Sequence, residues 1–145
     1  MEFADFPAHK QQTTLTAERV EDRAVMLCDA LYMNLKEQQI RSHQRSIENE
    51  INMDYHAAKI EELKERGPDV EFYVKRLKKY LKIVFKDAGG QQSVHAFVDR
   101  ENGDLFKPAS WKAPAKIARY NLLNEDHTNW LYHNADWSGG YLYLK

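Results

Sequence analysis

Cysteine is nearly absent from this chain of 145 residues: Cys28 stands alone, so no intrachain disulfide can form and a disulfide-stapled scaffold is excluded. Glycine and proline are sparse, at six and four residues, which rules out collagen-like and low-complexity classes. No apolar run approaches the roughly 20 residues that a membrane-spanning helix needs. The N-terminus MEFADFPAHK has no basic segment followed by an apolar stretch, so secretion is not expected and the cytosol is.

Catalytic and metal-binding patterns are equally scarce. The six histidines (His9, His43, His56, His95, His127 and His133) lack zinc-ligand spacing, and Cys28 falls on an apolar helical stripe, where an inert buried thiol is expected. Asp99, Glu101 and Asp104 lack the full ligand series of a calcium loop and read as a hairpin turn. Ser110 and Ser138 sit in no nucleophile setting, and neither Gly89-Gly90 nor Gly139-Gly140 belongs to a phosphate-cradling motif. Glu61 and Glu62 fit a solvated acidic helix face. The expectation is a protein with no enzymatic activity, no metal and no cofactor.

What is present is ordinary globular composition, 43% hydrophobic and 12% aromatic, in a length that suits one core. Charge divides the chain at Pro68. Residues 1–68 carry 9 Lys/Arg against 13 Asp/Glu, and residues 69–145 carry 12 against 9, so a net −1 conceals halves of −4 and +3. Local patches govern polyanion binding more than net charge does.

Residues 1–14 show no periodicity and read as a flexible arm ahead of a single domain, 15–145, with a helical part (15–67) and a basic sheet part (68–145). From Thr16 a helix is expected, with Ala17, Val20, Ala24, Leu27, Cys28, Leu31 and Leu35 on one stripe. A second helix, with Ile40, Ile47, Ile51, Tyr55 and Ala58 as its stripe, stops at Gly67-Pro68. One long helix spanning both is the alternative, and homo-oligomerisation through these helices is open. Beyond Pro68, DVEFYVKRLKKYLKIVFK fits a helix in its first part and a strand after Lys79. A turn at 87–90, a strand over Ser93–Asp99, an Asn102-Gly103 hairpin turn and Leu105-Phe106 then form an antiparallel meander. Short helices are expected over Ala115–Tyr120 and Asn124–His133, and the chain ends as an alternating strand. The fold class is α+β, an N-terminal helical pair packed on a small antiparallel sheet.

The strongest functional signal is two basic runs free of acid. Residues 72–86 hold Lys75, Arg76, Lys78, Lys79, Lys82 and Lys86 among Phe72, Tyr73, Tyr80 and Phe85; residues 105–121 hold Lys107, Lys112, Lys116 and Arg119 among Phe106, Trp111 and Tyr120. Single-stranded nucleic acid needs this mixture, because cations track phosphates while flat rings stack exposed bases at roughly 1–3 kcal/mol each. On the strand reading Lys82 and Lys86 share one face, opposite Leu81, Ile83 and Phe85, and His95 and Phe97 project opposite Val94, Ala96 and Val98. The competing reading is that the rings are core, which is favoured for Phe72, Tyr73, Phe85 and Phe106. Trp111, flanked by lysines in a loop bracketed by Pro108 and Pro114, is favoured as functional. The candidate binding residues are Lys75, Lys78, Lys79, Lys82, Lys86, Phe97, Lys107, Trp111, Lys112, Lys116 and Arg119.

The stretch SVHAFVDRENGDLFKPASWKAPAKIARYNLL, followed by ADWSGGYLYLK, resembles a group of small bacteriophage proteins that share an ASWKAPAK core and a terminal W-x-G-G-Y-L-Y segment. Within that group the chain resembles the single-stranded DNA-binding RNA polymerase cofactors of podoviruses, the Drc family. The resemblance implies a protein of the host cytoplasm that coats melted DNA at phage promoters and recruits the phage RNA polymerase. It also implies a fold other than an OB barrel, and it carries DNA binding onto Trp111, Lys112, Lys116 and Arg119. The alternative is a protein-interaction module, such as an inhibitor of a host enzyme, whose acidic helices dock on a basic partner.

Overall fold

The computed structural model describes the backbone of residues 5–143 and the side chains of residues 14–143. Helix α1 (Asp5–Glu48) and α2 (Met53–Arg66) form a hairpin, followed by strands β1 (Glu71–Arg76), β2 (Tyr80–Lys86), β3 (Gln92–Asp99), β4 (Asp104–Phe106) and β5 (Tyr120–Asn121). Helix α3 (Glu125–Asn134) and a 3₁₀ turn (Gly140–Leu142) complete the chain. The strands lie in sequence order as an open antiparallel sheet, so the α+β expectation, a helical pair against a small sheet, holds.

The first expected stripe is the heart of the core. Val20, Ala24, Leu27, Cys28, Leu31 and Leu35 are buried against Leu81, Ile83, Ala96, Val98 and Leu105 on the inner face of the sheet. Two helices form, but the break falls at 49–52 and α1 is helical from Asp5, which takes ten residues from the expected arm; residues 1–4 lie outside the described residues. The break is a Schellman motif: Ile51 N–H donates to Ser46 O (2.9 Å) and Glu50 N–H to Ile47 O (3.0 Å). Glu50 takes the left-handed position (φ 58°) where glycine is usual, so the sequence carried no stop signal there. Ile40 and Ile47 therefore belong to α1, Ile51 and Tyr55 are exposed, and α2 buries Ile60 and Leu63 instead. Gly67 ends α2 at φ +75°, with Tyr32 packed so close that a Cβ would meet its hydroxyl at 2.1 Å.

Three local expectations fail in the sheet half. Residues 71–76 form a strand rather than a helix, because pairing with β2 turns Phe72 and Val74 inward and covers what would be an open edge. Residues 115–119 form no helix; Ala115 N–H donates to Lys107 O and Arg119 N–H to Leu105 O, so the segment runs back along β4. The C-terminal glycines lead into a 3₁₀ turn that buries Tyr141 and Leu142, where a strand was expected. The Asn102-Gly103 turn and α3, capped by Asn124 accepting from His127 N–H, match.

Candidate nucleic-acid interface

The strand alternation of β2 sends Leu81 and Ile83 toward α1 and Tyr80, Lys82, Val84 and Lys86 to the outer face. Antiparallel pairing aligns Lys75 of β1, Lys82 of β2, Phe97 of β3 and Phe106 of β4 in one row across that face. A β-bulge between Ile83 and Val84 shifts the register, since Ala96 opposes Ile83 while Val94 opposes Val84. His95 is the extra residue, and the bulge re-aims it. The expectation that His95 shares the outer face with Phe97 is therefore corrected: its Nε2 lies 2.7 Å from the Tyr141 hydroxyl, and Val94 takes the outer position.

Over this row lies the loop 107–119. Pro108 and Pro114 bridge its base, Ala109 and Ser110 N–H both donate to Ala113 O, and Trp111 sits at the tip. The tip reaches Lys82, whose Nζ lies 3.9 Å from the Trp111 ring centroid and 5.8 Å from that of Phe97. Tyr80 joins edge-on, with centroids 5.9 Å from Phe97 and 6.2 Å from Phe106, and Lys79 Nζ lies 5.4 Å from the Tyr80 ring. The result is a patch of four rings and three cations.

Lys82 is the most unusual member. Only 3% of it is exposed, yet among the described residues its ammonium has neither a carboxylate nor a hydrogen-bond partner. Aromatic faces are its favourable contacts within the protein, worth about 0.5–2 kcal/mol per ring, and the ammonium itself still touches solvent. Desolvation, and then the like charge of Lys75, hold its pKa below the ordinary lysine value. Such a charge, held beside a second lysine and without a carboxylate, is open to an anion.

The structure brings Lys75, Lys79, Lys82, Phe97 and Trp111 together, and it disperses other candidates. Lys86 lies on the outer face at the far end of β2, opposite Glu71, and Lys78 is exposed in the β1–β2 turn. Lys112 and Lys116 are exposed along the loop, whereas Lys107 turns to a separate cleft, 4.1 Å from the Tyr143 ring. Arg119 is occupied structurally: Nε donates to Leu142 O (2.6 Å) and Nη1 to Ile117 O, so it fastens the loop to the C-terminal turn. Nη2 has no partner among the described residues. Phe97 is fully buried and serves as the floor of the patch, with Trp111 (42% exposed) as its accessible ring. Tyr80, which is not among the expected site residues, and Phe106, expected in the core, both join the patch. Period-2 spacing of Tyr80 with Lys82 signals the first, while the second depends on pairing with Phe97.

Comparison with protein families decides one point. A family model matches residues 3–144. The chain belongs to DUF7717, a family of unknown function. The DUF7717 match covers both the helical hairpin and the sheet. No curated protein matches the chain, and no solved structure does. Among the described residues no cluster of three or more His, Cys, Asp or Glu could hold a metal, and no helix is long and apolar enough to cross a membrane.

Proposed function

We propose that this DUF7717 protein binds single-stranded DNA across the outer face of its sheet, acting as a phage transcription cofactor that engages melted promoter DNA and recruits the phage RNA polymerase in the host cytoplasm. The observation that carries the binding role is Lys82, whose stem is buried and whose solvent-touching ammonium, without a carboxylate or hydrogen-bond partner among the described residues, lies between Trp111 and Phe97, with Lys75 beside it in the same row. Phosphates neutralise such cations, and an exposed ring accepts an unstacked base, which a duplex does not offer. The resemblance of the Trp111-Lys112-Ala-Pro-Ala-Lys116 segment to the phage cofactors supports the transcriptional role. Exposed Val25, Met26 and Met33 on α1 are available for polymerase contact.

Fluorescence anisotropy with a labelled oligonucleotide, single and double stranded, at two salt concentrations tests this. Single strands bind in preference, with a log-log salt slope near −0.7 per phosphate contacted. Trp111→Ala and Lys112→Ala weaken binding; unchanged affinity in both removes the loop from the site, and salt-independent binding removes the reading.

A second reading has an observation of its own. Ile51, Met53 and Tyr55 are each about half exposed at the tip of the helical hairpin, which suits a protein-interaction module such as a host-enzyme inhibitor, or self-association through the helices. A partner captured equally well after nuclease treatment, alongside no oligonucleotide binding, favours it.

A further inference from the structure

We propose that the cleft between the C-terminal turn and the first half of β3 is a pocket for a single unstacked nucleobase, with the adjoining phosphate on Lys107. The inference rests on the single-strand reading above and names a second subsite for it. The cleft measures about 480 Å³, inside the range of roughly 300–1,000 Å³ typical of small-ligand sites.

It exists because β4 is too short for its neighbour. Strand β3 runs over Gln92–Asp99, yet β4 pairs only with Phe97 and Val98, so residues 92–95 have no strand beside them on that flank. Pro108 ends the pairing: it has no N–H to offer a ladder, and it bridges to Pro114 instead. The gap is flanked by three rings, Phe85, Trp137 and Tyr143, of which the last two are 38% and 59% exposed.

Its polar groups suit a base and its phosphate. Ser93 is exposed and its hydroxyl has no partner among the described residues, so it is available to a base edge. Lys107 lies over the Tyr143 ring with no carboxylate partner among the described residues. His95 lines the pocket as a closed, uncharged group: Tyr141 occupies Nε2, and burial keeps the imidazole neutral at ordinary pH. A flat ring with a polar rim, tied to one negative group, satisfies the aromatic walls, the hydroxyl and the ammonium together.

The same chemistry arrives as a free nucleotide or as one base of a strand, and two titrations separate them. Deoxynucleoside 5′-monophosphates are added to the ¹⁵N-labelled protein, with inorganic phosphate as the control ligand. The expected result is saturable amide shifts at Ser93, Gly139 and Tyr143, weakened at least tenfold by Lys107→Ala and abolished by Ser93→Phe, which fills the cleft. In parallel, a labelled single-stranded oligonucleotide is followed by anisotropy with the same variants, and loses affinity severalfold if the pocket takes one base of the strand.

Mononucleotide shifts confined to Lys75, Lys82 and Trp111, equal affinity for phosphate alone, or no shifts at all overturn the pocket. If any of these occurs while the oligonucleotide still binds, the outer-face reading stands without it. Saturable shifts in the cleft with no oligonucleotide binding support the pocket for free nucleotides and overturn the single-strand reading.

Discussion

The helical half and the sheet half of this molecule carry charge of opposite net sign, −4 and +3. On the hairpin, three basic residues have a carboxylate three or four residues away on the same helix face: Arg41 with Glu37, Lys59 with Glu62 and Lys64 with Glu61. In the sheet half, Lys75, Lys78, Lys79, Lys82, Lys86, Lys107, Lys112 and Lys116 have no carboxylate partner among the described residues. Two of the acids there hold turns: Asp99 Oδ1 accepts from Glu101 and Asn102 N–H, and Asp87 Oδ1 from Gly89 and Gln91 N–H. The sheet half, with 12 Lys/Arg against 9 Asp/Glu and those eight lysines without a carboxylate partner, is the positive side of the molecule, and the helical half, with 9 against 13, is the negative one.

That contrast can be broken in several ways. The largest effect is expected where the halves meet. Leu31, fully buried where α1 packs on the sheet, contributes to both, so Leu31→Ala costs about 2–5 kcal/mol and both halves unfold in one transition. Urea denaturation followed separately by far-ultraviolet circular dichroism and tryptophan fluorescence checks it; two resolved transitions would show the halves to be independent.

Acid comes next and targets the sheet side. Burial pushes the His95 pKa down from 6.5 to about 4, against a smaller opposing effect of Asp136. The unfolded chain therefore takes up this proton first as pH falls. The contribution of His95 is complete above about pH 6.5 and is lost between there and about pH 4, amounting to about 3 kcal/mol. Denaturation midpoints measured from pH 7 to pH 4 fall accordingly, and His95→Gln flattens the profile over that window. His43, lowered by desolvation and by His56 2.7 Å away, acts in the same direction on the hairpin.

A smaller effect isolates binding from folding. Trp111→Ala lowers affinity for single-stranded DNA by about 1–3 kcal/mol, five- to more than a hundredfold, with little change in stability, because the ring sits at the tip of an exposed loop. The smallest is the control on the helical side: Lys59→Ala changes stability by less than about 0.5 kcal/mol and leaves the salt slope of DNA binding unchanged, whereas Lys75→Ala reduces that slope by about 0.7.

Much of this was legible along the chain because it depends on neighbours in sequence. The stripe from Val20 to Leu35, the Asn102-Gly103 turn, the Asn124 cap and the alternation that separates Lys82 from Leu81 and Ile83 are all local patterns. The errors arose where a distant partner overrode local preference. Residues 71–76 have helical spacing but were drawn into a strand by β2, the hairpin break used Glu50 in a position that glycine normally marks, and Arg119 looked like a free cation until the Leu142 carbonyl claimed it.

The amino-acid order by itself determined the composition of the candidate site, a run of lysines interleaved with rings in the half that lacks balancing acid, and the amphipathic helix that supports it. Which ring meets which cation was decided only by the tertiary structure. The row Lys75, Lys82, Phe97, Phe106 joins four strands through pairing register, and Trp111 reaches it because two prolines close the loop behind. A one-residue bulge then sends His95 inward and keeps Phe97 beneath Lys82. Register depends on hydrogen bonds between segments far apart in the chain, and no local spacing encodes it.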